Sequence, residues 1–186
     1  KDQLVTQLTA EEPVHRLRAA NALGQIGDPG PTQALANLLT DPSNQVRFSA
    51  AAALATLDQA QGIDFLFQAL RNTDSILRAN AVKFLAEVQS QSGSVESQLI
   101  SALSAEAPLA RAGAAQVLGQ ARVQTAIASL IEATTDNTAE VRVNAIIALG
   151  QIGTGQSRAR LESLRTDDDA TVAYYAEWAL GQLGPS

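Results

Sequence analysis

The sequence predicts an all-α fold, an α-solenoid of stacked helical hairpins, and three observations lead there. One phrase about three helical turns long recurs six times at a period near 31 residues. A second leucine-bearing stretch precedes every copy of it. Of the 186 residues, 46% are hydrophobic but only 4% aromatic, so the core must use the small and aliphatic side chains that helices favour. An aromatic-rich β-sandwich fits that composition poorly.

The copies are HRLRAANALGQIG from His15, VRFSAAAALATLD from Val46, LRANAVKFLAEVQ from Leu77, ARAGAAQVLGQAR from Ala110, VRVNAIIALGQIG from Val141 and VAYYAEWALGQLG from Val172. Their anchor leucines are Leu23, Leu54, Leu85, Leu118, Leu149 and Leu180, separated by 31, 31, 33, 31 and 31 residues. An alanine stands four residues before every anchor. An arginine stands seven before it in five copies (Arg16, Arg47, Arg78, Arg111, Arg142), and the sixth copy has Ala173 there. Three copies end in G-Q-[IL]-G, which suits a helix C-terminus because glycine takes up positive φ freely. Each phrase is therefore the second helix of a hairpin.

The first helix carries Leu4, Leu35, Leu66, Leu99, Leu130 and Leu161, each nineteen residues before its anchor, with Leu8, Leu39, Leu70 and Leu103 one turn later on the same face. Between the two helices lie T-D-P-S-N at 40–44, N-T-D at 72–74, T-D-N-T at 135–138 and T-D-D-D at 166–169. Such residues form tight turns and cap helix N-termini. The repeats run over about 1–27, 28–58, 59–89, 90–122, 123–153 and 154–186. One hairpin cannot bury two apolar stripes alone, so neighbours stack on a shared core. A single repeat domain over 1–186 is expected, with the alanine-bearing second helices on its concave side and the central anchors more buried than Leu23.

Zero Cys excludes disulfides, thiol nucleophiles and thiolate-held metals, and the one histidine, His15, excludes multi-histidine sites. A net charge of −6 works against phosphate binding, so nucleic acid is not an expected partner. No apolar run reaches the ~18–20 residues of a spanning helix. The chain contains no Met, even at position 1, which reads as a processed product or a fragment of a longer chain. The expected location is the cytoplasm.

The pattern D-P-x-x-x-V-R-x-x-A-A-x-A-L-G-x-I-G at this period resembles the HEAT-like repeat of the phycobilisome-lyase type. The resemblance covers essentially the whole chain. It is closest in the repeats ending at Gly27 and Gly153 and loosest in the third and fourth, where Val88-Gln89 and Ala121-Arg122 replace the closing I-G. It implies the solenoid fold, and it implies roles as different as bilin lyase subunit, phycobilisome-degradation factor and interaction scaffold. It also implies that the repeated arginine ties to an inter-helix Asp (Asp41, Asp74 or Asp136) in a structural ladder between neighbouring repeats. Ala173 then marks an end with no following neighbour to hold.

His15 has no recurring Ser, Asp or Glu to orient it as a base, so no catalytic role is expected for it. Asp167, Asp168 and Asp169 lack the glycine and distal glutamate of a calcium loop and read as a capped turn. The informative positions are those that packing leaves free: six and two residues before each anchor, and two after. Phe48, Lys83, Gln116, Val143, Ile147, Tyr174 and Trp178 stand there as the partner-binding candidates; Phe48, Val143, Ile147, Tyr174 and Trp178 make the row apolar and aromatic, which marks an interaction face with at least part of each of these five side chains accessible.

A non-catalytic scaffold that binds a partner protein on the second-helix face is the expected function, with no cofactor and no metal. The alternative, implied by the resemblance alone, is a bilin lyase subunit or phycobiliprotein-handling factor that would hold a bilin chromophore. DNA repair on a HEAT-like scaffold needs a basic groove, which this chain lacks.

Overall fold

The structure is a computed structural model that describes residues 2–184. Among the described residues are twelve α-helices and no strand. Among the described residues no helix is long and apolar enough to cross a membrane. The chain divides into two compact units, Lys1–Val95 and Glu96–Ser186, where one repeat domain was expected.

The first unit holds α1 (Asp2–Gln7), α2 (Pro13–Ile26), α3 (Thr32–Asn37, continued by a 3-10 turn Leu38–Thr40), α4 (Asn44–Thr56), α5 (Ala60–Ala69) and α6 (Ser75–Ser92). The second holds α7 (Glu96–Ala102), α8 (Pro108–Gln120), α9 (Ile127–Ala133), α10 (Ala139–Ile152), α11 (Arg158–Ser163) and α12 (Ala170–Gln182). Within each unit an odd-numbered helix packs on the even-numbered helix that follows it, and the even-numbered helices pack on one another. Each unit is thus a stack of three hairpins.

The expected boundary at 89/90 falls inside α6. Gly27 (φ 72°) and Gly153 (φ 74°) end α2 and α10 in the left-handed conformation that favours glycine. The third repeat has Val88-Gln89 instead and finds its stop only at Gly93 (φ 67°), so α6 runs for 18 residues. Beyond that point the chain starts again: Pro13, Arg16, Leu23, Gly24 and Asp41 recur as Pro108, Arg111, Leu118, Gly119 and Asp136, each 95 residues on.

The anchors Leu23, Leu54, Leu85 and Leu118 are fully buried and Leu149 is 1% exposed, whereas Leu180 is only half-buried. The expectation that Leu23 is less buried than the central anchors is corrected here. Leu8, just after α1, is also buried, and Leu4 and Val5 of α1 pack on the same cluster as Leu23, closing that end. Second helices approach closely at glycine–alanine contacts. A Cβ on Gly24 would stand 2.9 Å from the Cα of Ala53, one on Gly119 2.6 Å from that of Ala148, and one on Gly150 3.0 Å from that of Ala179. Only a hydrogen fits there.

Candidate functional site: the second-helix face

In the first unit, the free positions of the second helices converge. All but Ala79 line a groove of about 500 Å³ that crosses α2, α4 and α6. Asn21 and Gln25 face it from α2, Ala52 and Thr56 from α4, and Lys83 and Glu87 from α6. Lys83 Nζ lies 4.0 Å from Glu87 Oε1 and 5.5 Å from the Phe84 ring centroid. Phe48 is a correction: it was expected to be accessible but is 2% exposed. Its ring stacks on Phe84 at 6.0 Å and meets the edge of Phe65 at 5.4 Å, so two neighbouring helices cover it and it forms the groove floor.

In the second unit the same register carries different chemistry. Gln116 is half-buried and donates through Nε2 to Asn144 Oδ1 at 2.8 Å, while Asn144 Nδ2 donates to the Glu140 carbonyl. Val143 and Ile147 are half-buried on α10. Tyr174 is 67% and Trp178 36% exposed on α12. Trp178 lies over Gly150, where a Cβ would stand 2.8 Å from Cζ3, so the glycine leaves room for the indole. Tyr175, which the free-position rule passes over, joins the cluster with its centroid 5.3 Å from Tyr174 and 6.5 Å from Trp178. The adjacent tyrosines at 174–175 were its only signal in the sequence.

The arginines share one contact that the sequence did not disclose. Arg16, Arg47, Arg78, Arg111 and Arg142 each donate through Nη1 to the carbonyl six residues upstream: Ala10, Asp41, Asn72, Ala105 and Asp136. Each therefore clamps the turn preceding its own helix. Three also reach a carboxylate of the next hairpin: Arg16 Nε to Asp41 at 2.7 Å, Arg111 Nε to Asp136 at 2.6 Å, and Arg142 Nη2 to Asp169 at 3.6 Å. The complete ladder is corrected at two places. Among the described residues Arg47 and Arg78 form no ion pair; 25 positions on, where Arg16 and Arg111 find Asp41 and Asp136, stand Asn72 and Leu103. Asp74 is a helix cap, accepting from the amides of Ile76 and Leu77.

The Arg16 guanidinium holds the Asp41 carboxyl below its usual range, and Arg111 does the same to Asp136, in each case against a smaller opposing effect of burial. Asp169 is lowered first by the Thr171 amide, as an N-cap. Asp167 accepts from the Asp169 amide, and Asp168 is exposed. His15 is exposed near the start of α2. Among the described residues no group of three His, Cys, Asp or Glu could hold a metal ion.

No curated protein matches the chain. Among solved structures, human deoxyhypusine hydroxylase in complex with glycerol is similar at 25% identity, over 98% of this chain and 73% of that one, with a TM-score of 0.52. An archaeal HEAT-like repeats protein from Thermococcus onnurineus NA1 is similar at 14% identity, 97% and 85% coverage and a TM-score of 0.52. An engineered protein is similar at 24% identity, 98% and 95% coverage and a TM-score of 0.51. The last two show the fold alone. A family model for HEAT repeats matches residues 2–86 and 96–181, two blocks that follow the two units, and the chain belongs to the HEAT-repeat family.

Proposed function

We propose that the protein is a non-catalytic scaffold that binds a partner protein on the face formed by its second helices. The observation that supports this most is the exposed aromatic cluster of α12. Tyr174 and Trp178 stand at positions the repeat does not need for packing, and Trp178 is seated over a glycine. Large aromatic side chains with one accessible face are the usual anchors of protein interfaces. Lys83 and Gln116 flank the corresponding faces, with Val143 and Ile147 as apolar support.

The reading is tested by the pair Tyr174→Ala and Trp178→Ala. Partner binding should be lost while the melting temperature stays within a few degrees. Free bilin serves as a control: strong quenching of Trp178 fluorescence by bilin, with no retained protein, would favour the pigment-handling alternative. That alternative draws on the resemblance of the repeats.

A further inference from the structure

One edge of α12 departs from the other second helices. Three residues before the anchor stand Ala20, Ala51, Val82, Ala115 and Ile146, every one of them buried, but the sixth copy has Glu177 there. The Glu177 side chain is 63% exposed and pairs at 2.5 Å with Arg165, itself 54% exposed. The residue after the anchor is glycine in α2, α8, α10 and α12. Gly24, Gly119 and Gly150 each lie against an alanine of the next second helix, whereas a Cβ on Gly181 would meet nothing within 4 Å. A further hairpin stacked in that register would have to take the Arg165–Glu177 pair out of water, which is costly. The edge therefore suits an occupant that meets charge with charge.

Ala170, Tyr174, Glu177 and Gly181 are all exposed. They follow one another at spacings of four, three and four residues, the spacing of a seam between two helices. The series complements itself. Run antiparallel to a copy of itself about an axis level with Tyr175 and Ala176, it sets Ala170 on Gly181 and Tyr174 on Glu177, and each match occurs twice. The Ala170–Gly181 match repeats the glycine–alanine contact already used between second helices, and Tyr174 offers a phenol O–H to the Glu177 carboxylate. The same axis brings the Arg165–Glu177 pair of each copy within about one helical turn of the other's, so charges of opposite sign face each other. A two-fold contact requires one patch that fits itself.

We propose that the protein self-associates as a two-fold dimer in which α12 packs antiparallel on α12 of a second copy along Ala170, Tyr174, Glu177 and Gly181. A pair of 13-residue helices is a small contact, so the dimer forms at high concentration and the monomer prevails on dilution. The inference goes beyond the partner-binding reading and shares only Tyr174 with it. Tyr174 and Trp178 stay unchanged in the test, so failure of one reading leaves the other standing.

Sedimentation velocity of the purified full chain, over about 10 µM to 1 mM, reads the association. The wild type should pass from monomer to dimer with no larger species. Glu177→Arg and Arg165→Glu each set like charges across the axis and should weaken pairing by about tenfold or more. An equimolar mixture of these two variants should recover it, as should the double variant Arg165→Glu/Glu177→Arg, because both restore opposite charges across the axis. Gly181→Leu should block pairing without lowering the melting temperature, since leucine favours a helix more than glycine does. A wild type that stays monomeric would overturn the proposal and leave this edge of α12 to a different protein. Single variants that pair as the wild type does would overturn it by placing the contact elsewhere. Recovery in the double variant but not in the mixture would overturn it too, because the charges would then act within one chain. Growth beyond a dimer would replace the two-fold pair with head-to-tail stacking.

Discussion

Arg16 grips Asp41 with two parallel hydrogen bonds, Nε to Oδ2 at 2.7 Å and Nη2 to Oδ1 at 3.0 Å, while its Nη1 reaches the Ala10 carbonyl at 2.8 Å. One guanidinium thus ties the turn of its own hairpin to the turn of the next. Arg111 repeats the arrangement with Asp136 and Ala105. Bidentate geometry suits arginine and no other side chain.

Arg111→Ala should cost about 1–3 kcal/mol, because it strips a charged hydrogen-bond partner from a carboxylate that is only 13% exposed. Arg78→Ala should cost less, since Arg78 serves only the carbonyls of Asn72 and Thr73. Matched urea titrations compare them. Equal losses would mean that the turn clamp, and not the ion pair, carries the effect.

Acid should weaken the fold through Asp41 and Asp136. Their carboxyls are lowered in the folded state, so near pH 4 the unfolded chain binds more protons than the folded one and stability falls with pH. The contribution is intact above the ordinary carboxylate value of about 3.9 and disappears as pH falls through the lower folded values. Asp136→Asn should be less stable than wild type at pH 7, with the gap narrowing below about pH 4. A constant gap across a pH series of thermal melts would contradict this.

Two glycine substitutions should have opposite effects. Gly119→Ala puts a methyl 2.6 Å from the Ala148 Cα and should destabilise by about 1–3 kcal/mol. Gly181→Ala, on the exposed side of α12 with no atom within 4 Å of the new Cβ, should be neutral or stabilising by up to about 1 kcal/mol. Chemical denaturation of the two variants decides.

Leu118→Ala should cost about 2–5 kcal/mol, and Leu180→Ala should cost less because Leu180 is only half-buried. Leu23→Ala should behave like Leu118→Ala, since both anchors are fully buried. Calorimetric melting of the three variants tests whether burial or position in the chain sets the cost.

The hairpins, the anchors and the face positions were legible because a repeat writes its packing demands six times over. Departures from the repeat were harder to see. The burial of Phe48 depends on Phe65 and Phe84, two rings on other helices, and no single-helix period reports such a meeting. Asn80, Phe84 and Gln91 sit at positions that helix periodicity assigns to flanks, yet they line the groove, and Phe84 stands where the sixth hairpin has Ala179. The 33-residue spacing between Leu85 and Leu118 and the 95-residue recurrence of Pro13, Arg16, Leu23, Gly24 and Asp41 were the visible traces of the division after Val95. The Asp41 and Asp136 contacts could be anticipated from a fixed offset of 25 residues, whereas the carbonyl clamp could not, because backbone acceptors leave no mark in a sequence.

The central claim, that the second-helix face docks a partner protein, is tested most directly by comparing what the immobilised wild type and the Tyr174→Ala/Trp178→Ala variant retain from the same lysate at matched loading. The account predicts at least one protein retained by the wild type and lost from the variant, with the two melting temperatures within a few degrees. Identical retention by both would contradict it.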